Sequence, residues 1–102
     1  MQTVPIAEVR IDANRRLCVY PSREEFPYIY RAAMEVHWDA AGRFLFSPTP
    51  REWTYDRWFA QIVAAARDEY GCELEITPAT QWTDVSAEVR QQITEQKGGD
   101  VV

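Results

Sequence analysis

The stretch PTPREWTYDRWFAQIVAAARDEYG, residues 48–71, decides the fold. Its apolar residues Tyr55, Trp58, Phe59, Ile62, Val63, Ala66 and Tyr70 recur at steps of three and four, one continuous stripe on the 3.6-residue helical period. A stripe of this kind needs a second layer to cover it, so a sheet is expected beside the helix. Thr54 is the expected N-cap. Asp56 then faces the positive end of the helix dipole, and Trp53, just before the cap, can pack on Trp58 as a hydrophobic staple. Thr49, Pro50 and Glu52 spell a competing capping box one turn earlier, which a short preliminary turn over residues 50–53 reconciles with Thr54. Gly71 follows Tyr70 and can take the left-handed conformation that closes a helix.

Upstream of the helix, period-2 alternation takes over. Residues 4–12, VPIAEVRID, place Val9 and Ile11 on one face and Glu8, Arg10 and Asp12 on the other, with Pro5 marking an edge or a strand's beginning. Asp12 to Arg15 form a turn, and Leu17 to Tyr20 return as a second strand. The same design recurs 27 residues later, where Glu35, Val36, Asp39, Ala40 and Arg43 repeat Glu8, Val9, Asp12, Ala13 and Arg16. Two hairpins with similar Asp-Ala turns are expected, Gly42 supplying positive φ in the second and Asn14 or Arg15 in the first. Between them PSREEFPY is a loop. After it Tyr28, Tyr30, Ala32, Met34, Val36 and Trp38 alternate with Ile29, Arg31, Ala33, Glu35 and His37, which predicts a strand whose first set faces the helix.

Downstream, Cys72 to Thr77 read as a fifth strand, the loop PATQWTD follows, and Val85, Val89 and Ile93 stripe a second helix from Val85 to Gln96. The expected architecture is α+β: an antiparallel β-meander of about four strands plus a fifth, packed on one face by a long central helix, with a short C-terminal helix, in the order ββββαβα. Residues 1–97 are expected to form a single domain and residues 98–102 a flexible tail.

A chain of 102 residues can bury a self-sufficient core, without metal or disulfide. Cys18 and Cys72 lack metal-ligand spacing, and the first ten residues show neither a basic nor an apolar leader region, so a cytoplasmic protein with reduced thiols is expected. No apolar run approaches the roughly 20 residues that cross a bilayer. A formal charge of −5 with scattered arginines argues against duplex DNA or an anionic membrane, and suits a basic partner.

Chemistry is thinly signalled. His37 and Asp39 share a strand face, as a carboxylate-oriented general base would, but no nucleophile or metal partner is placed near them. Cys72 follows a helix C-terminus, whose negative end raises a thiol pKa. Glu73 with Glu75, and Glu8 with Asp12, read as solvent-facing alternation. No catalytic residue, cofactor or metal site is therefore assigned. Aromatic residues make up 13% of the chain, more than one helix stripe uses. Tyr28, Tyr30, Phe44, Phe46, Trp58 and Phe59 fit core positions. Phe26, Trp53, Trp82 and Tyr20 fall in loops or on faces the helix does not reach, and together with Arg51 they are the candidate binding anchors. The expectation is a small acidic non-enzymatic module that binds another protein, in the manner of an inhibitor or immunity protein. The alternatives are a homodimer built on the open sheet face around Ile29, Ala33, Leu45 and Cys18, and a small-ligand or hydrolytic protein using a cleft near Tyr30, Trp38, Trp58 and His37.

Overall fold

The computed structural model describes residues 2–99. In chain order these form β1 (Gln2–Ile11), β2 (Leu17–Pro21), a 3-10 turn (Ile29–Arg31), β3 (His37–Asp39), β4 (Phe44–Phe46), α1 (Tyr55–Tyr70), β5 (Cys72–Glu75), β6 (Gln81–Thr83) and α2 (Ala87–Gly99). The α+β class stands, but the meander does not. The described strands make one mixed sheet in the order β3-β4-β2-β1-β5, with β6 also on β1. Pairs β1–β2, β2–β4 and β3–β4 are antiparallel; β1–β5 and β1–β6 are parallel. Of the expected tail, Gly98 and Gly99 lie in α2, and residues 100–102 fall outside the described residues.

Helix α1 begins after Thr54 and closes at Gly71, as its sequence predicts. Trp58, Phe59, Ile62, Ala65 and Ala66 are its buried residues, and it lies against β5 and β2 with α2 and the 3-10 turn beside it. The staple forms: the Trp53 and Trp58 rings sit 4.7 Å apart. The Thr54 side chain makes no capping bond; its carbonyl accepts from the Trp58 N–H at 3.1 Å instead.

The largest correction concerns residues 28–36. No long strand runs through them, because the buried positions are Ile29, Ala33 and Val36, spaced by four and three, while Tyr28, Tyr30 and Met34 point outward. That spacing turns one side of a tight coil inward rather than alternating across a pleat. Only His37–Asp39 remains as strand, and so β2 is left to pair with β4.

The two turns also differ. Asp12 accepts through Oδ1 from the N–H groups of Asn14 and Arg16, each at 2.9 Å, and its carbonyl accepts from the Arg15 N–H at 2.9 Å. In the second turn the Asp39 carbonyl accepts from the N–H of Arg43, one residue further on, at 2.7 Å. Positive φ falls on Arg15 (64°) and Arg43 (59°), not on Gly42. Gly42 is required for space: a Cβ there would collide with the Phe44 ring and lie 3.0 Å from Asp39 Oδ2. Gly71 is required for conformation, with φ 63° and nothing within 4 Å of a Cβ. Replacing Gly71 by alanine should therefore cost about 1 kcal/mol, most of it recovered by asparagine, which tolerates left-handed backbone. At Gly42 asparagine should be no better than alanine. Guanidinium midpoints of the four variants check this.

Strand β1 is the middle of the sheet despite Pro5. Residues 2–5 pair with β5, residues 8–10 pair with β6, and a bulge separates Ile6 from Glu8 on the β2 side. Thr80 occupies the gap between the two parallel partners, donating through Oγ1 to the Ile6 carbonyl at 2.7 Å. Val4, Ile6, Val9, Leu17, Val19 and Leu45 face the core from the sheet, and Ile93 closes it from α2. Glu8, Arg10, Tyr20, Phe44, Phe46 and His37 occupy the opposite face by strand alternation.

Candidate functional site

The five anchors expected from sequence do not form one surface. Phe26 is wholly buried, its ring 5.7 Å from Trp38 and 5.0 Å from Tyr70, so it is a core residue and not an anchor. Trp82 lies not in a loop but on β6, paired with Val9 and half-buried, with the Arg90 guanidinium 5.1 Å over its ring. Tyr20 sits on the open sheet face between Arg10, 5.7 Å away, and Phe44, at 4.9 Å. Only Arg51 and Trp53 come together. Ile29, Ala33 and Leu45, expected on the open face, are buried in the core.

His37 is exposed on the edge strand, its ring 5.5 Å from Phe46, and among the described residues no hydrogen bond joins it to Asp39. Both cysteines are free and buried. Burial first, and the charge of Asp12 after it, push the Cys18 thiol up to about 12. Burial raises Cys72 too, with Glu24 adding to it. The nucleophile is the thiolate, so neither sulfur is poised to attack at neutral pH. Among the described residues no group of three potential ligands could hold a metal, and no helix is long and apolar enough to cross a membrane.

A cleft of about 500 Å³ opens where the β4–α1 connection meets the helix, lined by Glu35, Pro48, Thr49, Arg51, Glu52, Trp53 and Trp58. Local chemistry holds that connection in place. Buried Ser47 exchanges two bonds with Leu17: its Oγ accepts from the Leu17 N–H at 3.2 Å, and its own N–H donates to the Leu17 carbonyl at 3.0 Å. Thr49 Oγ1 donates to the Asn14 carbonyl at 2.6 Å and Tyr55 Oη to that of Arg15 at 3.0 Å, tying the segment to the first hairpin turn. The Arg57 guanidinium lies 4.7 Å over Trp53, which in turn leans on Trp58. Trp58 is only 7% exposed, and among the described residues its Nε1 is the one buried side-chain polar atom without a hydrogen-bond partner. A buried donor left unpaired costs about 1–3 kcal/mol.

A second feature adjoins the cleft along the chain. Tyr28 and Tyr30 are half-exposed, at 51% and 50%, and Met34, next to the cleft residue Glu35, is 86% exposed. The two tyrosine rings meet edge to face at 6.4 Å. Beneath them Ile29 and Ala33 are buried. The Tyr28 N–H donates to Tyr70 Oη at 2.7 Å, and Arg31 lies 4.6 Å over the Tyr28 ring and 3.9 Å from Glu69. The platform is thereby fastened to α1 from below. Sequence reasoning placed these tyrosines in the core and left Met34 inward; the spacing of Ile29, Ala33 and Val36 was the signal that could have reversed it. Glu35 and the unpaired donor of Trp58 carried no signal.

A family model described as Integron Cassette Protein Hfx_Cass5 matches residues 4–80, from β1 through the turn that ends at Thr80. The chain belongs to the Hfx_Cass5 family. A solved Hfx_Cass5 structure, titled as from the mobile metagenome of the North West Arm Sewage Outfall, is 44% identical, covering 96% of this chain and 98% of that one, with a TM-score of 0.48. No curated protein matches. The Hfx_Cass5 description names a genetic setting and not a reaction, so function has to be argued from the surface itself.

Proposed function

We propose that this protein is a non-enzymatic module that binds another protein through the Tyr28, Tyr30 and Met34 platform. The carrying observation is that three large apolar side chains stand out from one short turn whose underside is buried. Tyrosine and methionine are enriched in interface cores, and a platform fastened by Tyr70 and Glu69 loses little freedom on binding. A net charge of −5 favours a partner with basic surroundings. A cytoplasmic setting is part of this reading, and two free cysteines suit it.

The test is affinity capture with the wild-type chain beside a Tyr30→Ala, Met34→Ala double variant. Substitutions at exposed positions change stability by about 0.5 kcal/mol or less, so melting should be preserved while partner recovery falls at least about tenfold. Sedimentation equilibrium at rising concentration identifies the case in which the partner is a second copy. Capture that survives loss of both side chains overturns the reading.

A further inference from the structure

We propose that Met34 is a modification site at which peroxide switches the platform off: its thioether becomes the sulfoxide while both thiols stay reduced, and the oxidised platform no longer holds its protein partner. The switch rests on the platform being the binding surface, and the site itself rests on which sulfur an oxidant can reach. Met34, Cys18 and Cys72 are the sulfur-bearing side chains among the described residues. Met34 is 86% exposed, whereas Cys18 and Cys72 are 1% and 4% exposed. Thiols react with oxidants chiefly as thiolates, and burial raises the pKa of both cysteines, so neither competes at neutral pH. The sulfur that an oxidant meets first is the one on the platform.

The step balances on one molecule of hydrogen peroxide. A sulfur lone pair attacks one peroxide oxygen, the O–O bond breaks as the S–O bond forms, and the other oxygen leaves with both protons as water; the thioether is oxidised and the peroxide reduced. Before the step, Met34 gives the segment that carries Tyr28 and Tyr30 a flexible, polarisable apolar side chain, which adapts to a partner's surface. After it, the same side chain ends in a strong hydrogen-bond acceptor. An acceptor buried in an apolar contact without a donor lowers affinity about tenfold or more. A seated partner covers Met34, so peroxide acts on the free protein and prevents rebinding. The fold does not register the change, because Ile29, Ala33 and Val36 make the core contacts of this segment and Met34 points outward.

The experiment treats the intact chain with hydrogen peroxide, clears the oxidant with catalase, and uses the product as bait on one lysate beside untreated bait, Met34→Leu and the Tyr30→Ala, Met34→Ala double variant. Peptide mass mapping that resolves Met34 from Met1, with thiol titration in denaturant, reads the site without any partner. Met34 should gain one oxygen atom while Cys18 and Cys72 still titrate as thiols and the melting temperature holds. Recovery of the protein that wild type captures and the double variant does not should fall about tenfold after peroxide, and return once methionine sulfoxide reductase with dithiothreitol has reduced the bait. Leucine keeps the apolar volume without the sulfur, so Met34→Leu should capture as wild type does, with or without peroxide. Thiols consumed before Met34 overturn the site. Undiminished capture by the sulfoxide, or a Met34→Leu bait that peroxide still inactivates, overturns the switch and leaves the platform standing. If the double variant recovers all that wild type does, the platform itself falls and the switch with it.

Discussion

Replacing Phe26 by alanine should cost about 3–5 kcal/mol, a large share of the 5–15 kcal/mol by which domains of this size are stable. The side chain is wholly buried and its ring touches Trp38 from the edge strand and Tyr70 from the end of α1. Truncation therefore opens a cavity where two elements distant in sequence meet. Tyr70 also accepts the Tyr28 N–H, so the loss should reach the platform through it. Urea unfolding checks the magnitude. A cost below about 1 kcal/mol would mean that the ring is a surface anchor after all, as the sequence alone suggests.

The second large effect is expected at Thr80→Val, which keeps the shape of the side chain and removes its hydroxyl. Thr80 is 6% exposed; its Oγ1 donates to the Ile6 carbonyl at 2.7 Å and accepts from the Thr77 N–H at 2.9 Å. Valine orphans both backbone groups inside the protein, at about 1–3 kcal/mol each, so a total of about 2–6 kcal/mol is expected. Thr80→Ser should restore most of it. Equilibrium unfolding of the pair separates the hydroxyl from the methyl, and faster amide exchange at Thr77 in the valine variant would place the loss at this bond.

What could be read from the sequence was whatever a single local pattern dictates. The α1 stripe, its start after Thr54 and its close at Gly71 are set by contacts within one helix and came through, although the Thr54 side chain does not cap it. So did the Asp12 turn, whose hydrogen bonds close within five residues. Several of the failures needed a partner far along the chain. Tyr28 to Trp38 alternates as well as any strand, yet which set of side chains turns inward is decided by Tyr70 and Phe26. Trp82 reads as loop because three residues of β6 are too few to show a period; its strand exists only by pairing with Val9. At the site, Arg51 and Trp53 were legible as an arginine beside an aromatic ahead of a helix. The unpaired nitrogen of Trp58 was not, since a stripe position predicts burial and says nothing about what the buried atom can reach.

The division of β1 between two parallel partners bears on how this chain reaches its native state. Gln2 must find Cys72 and Arg10 must find Thr83, so both flanks of the central strand cannot be satisfied until nearly the whole polypeptide is available. The entropy of closing so wide a loop has to be met before any of those pairings returns free energy, which makes for slow and all-or-none acquisition of structure. A ribosome making this protein releases β1 with one side bare, and holds it so until β5 and β6 emerge.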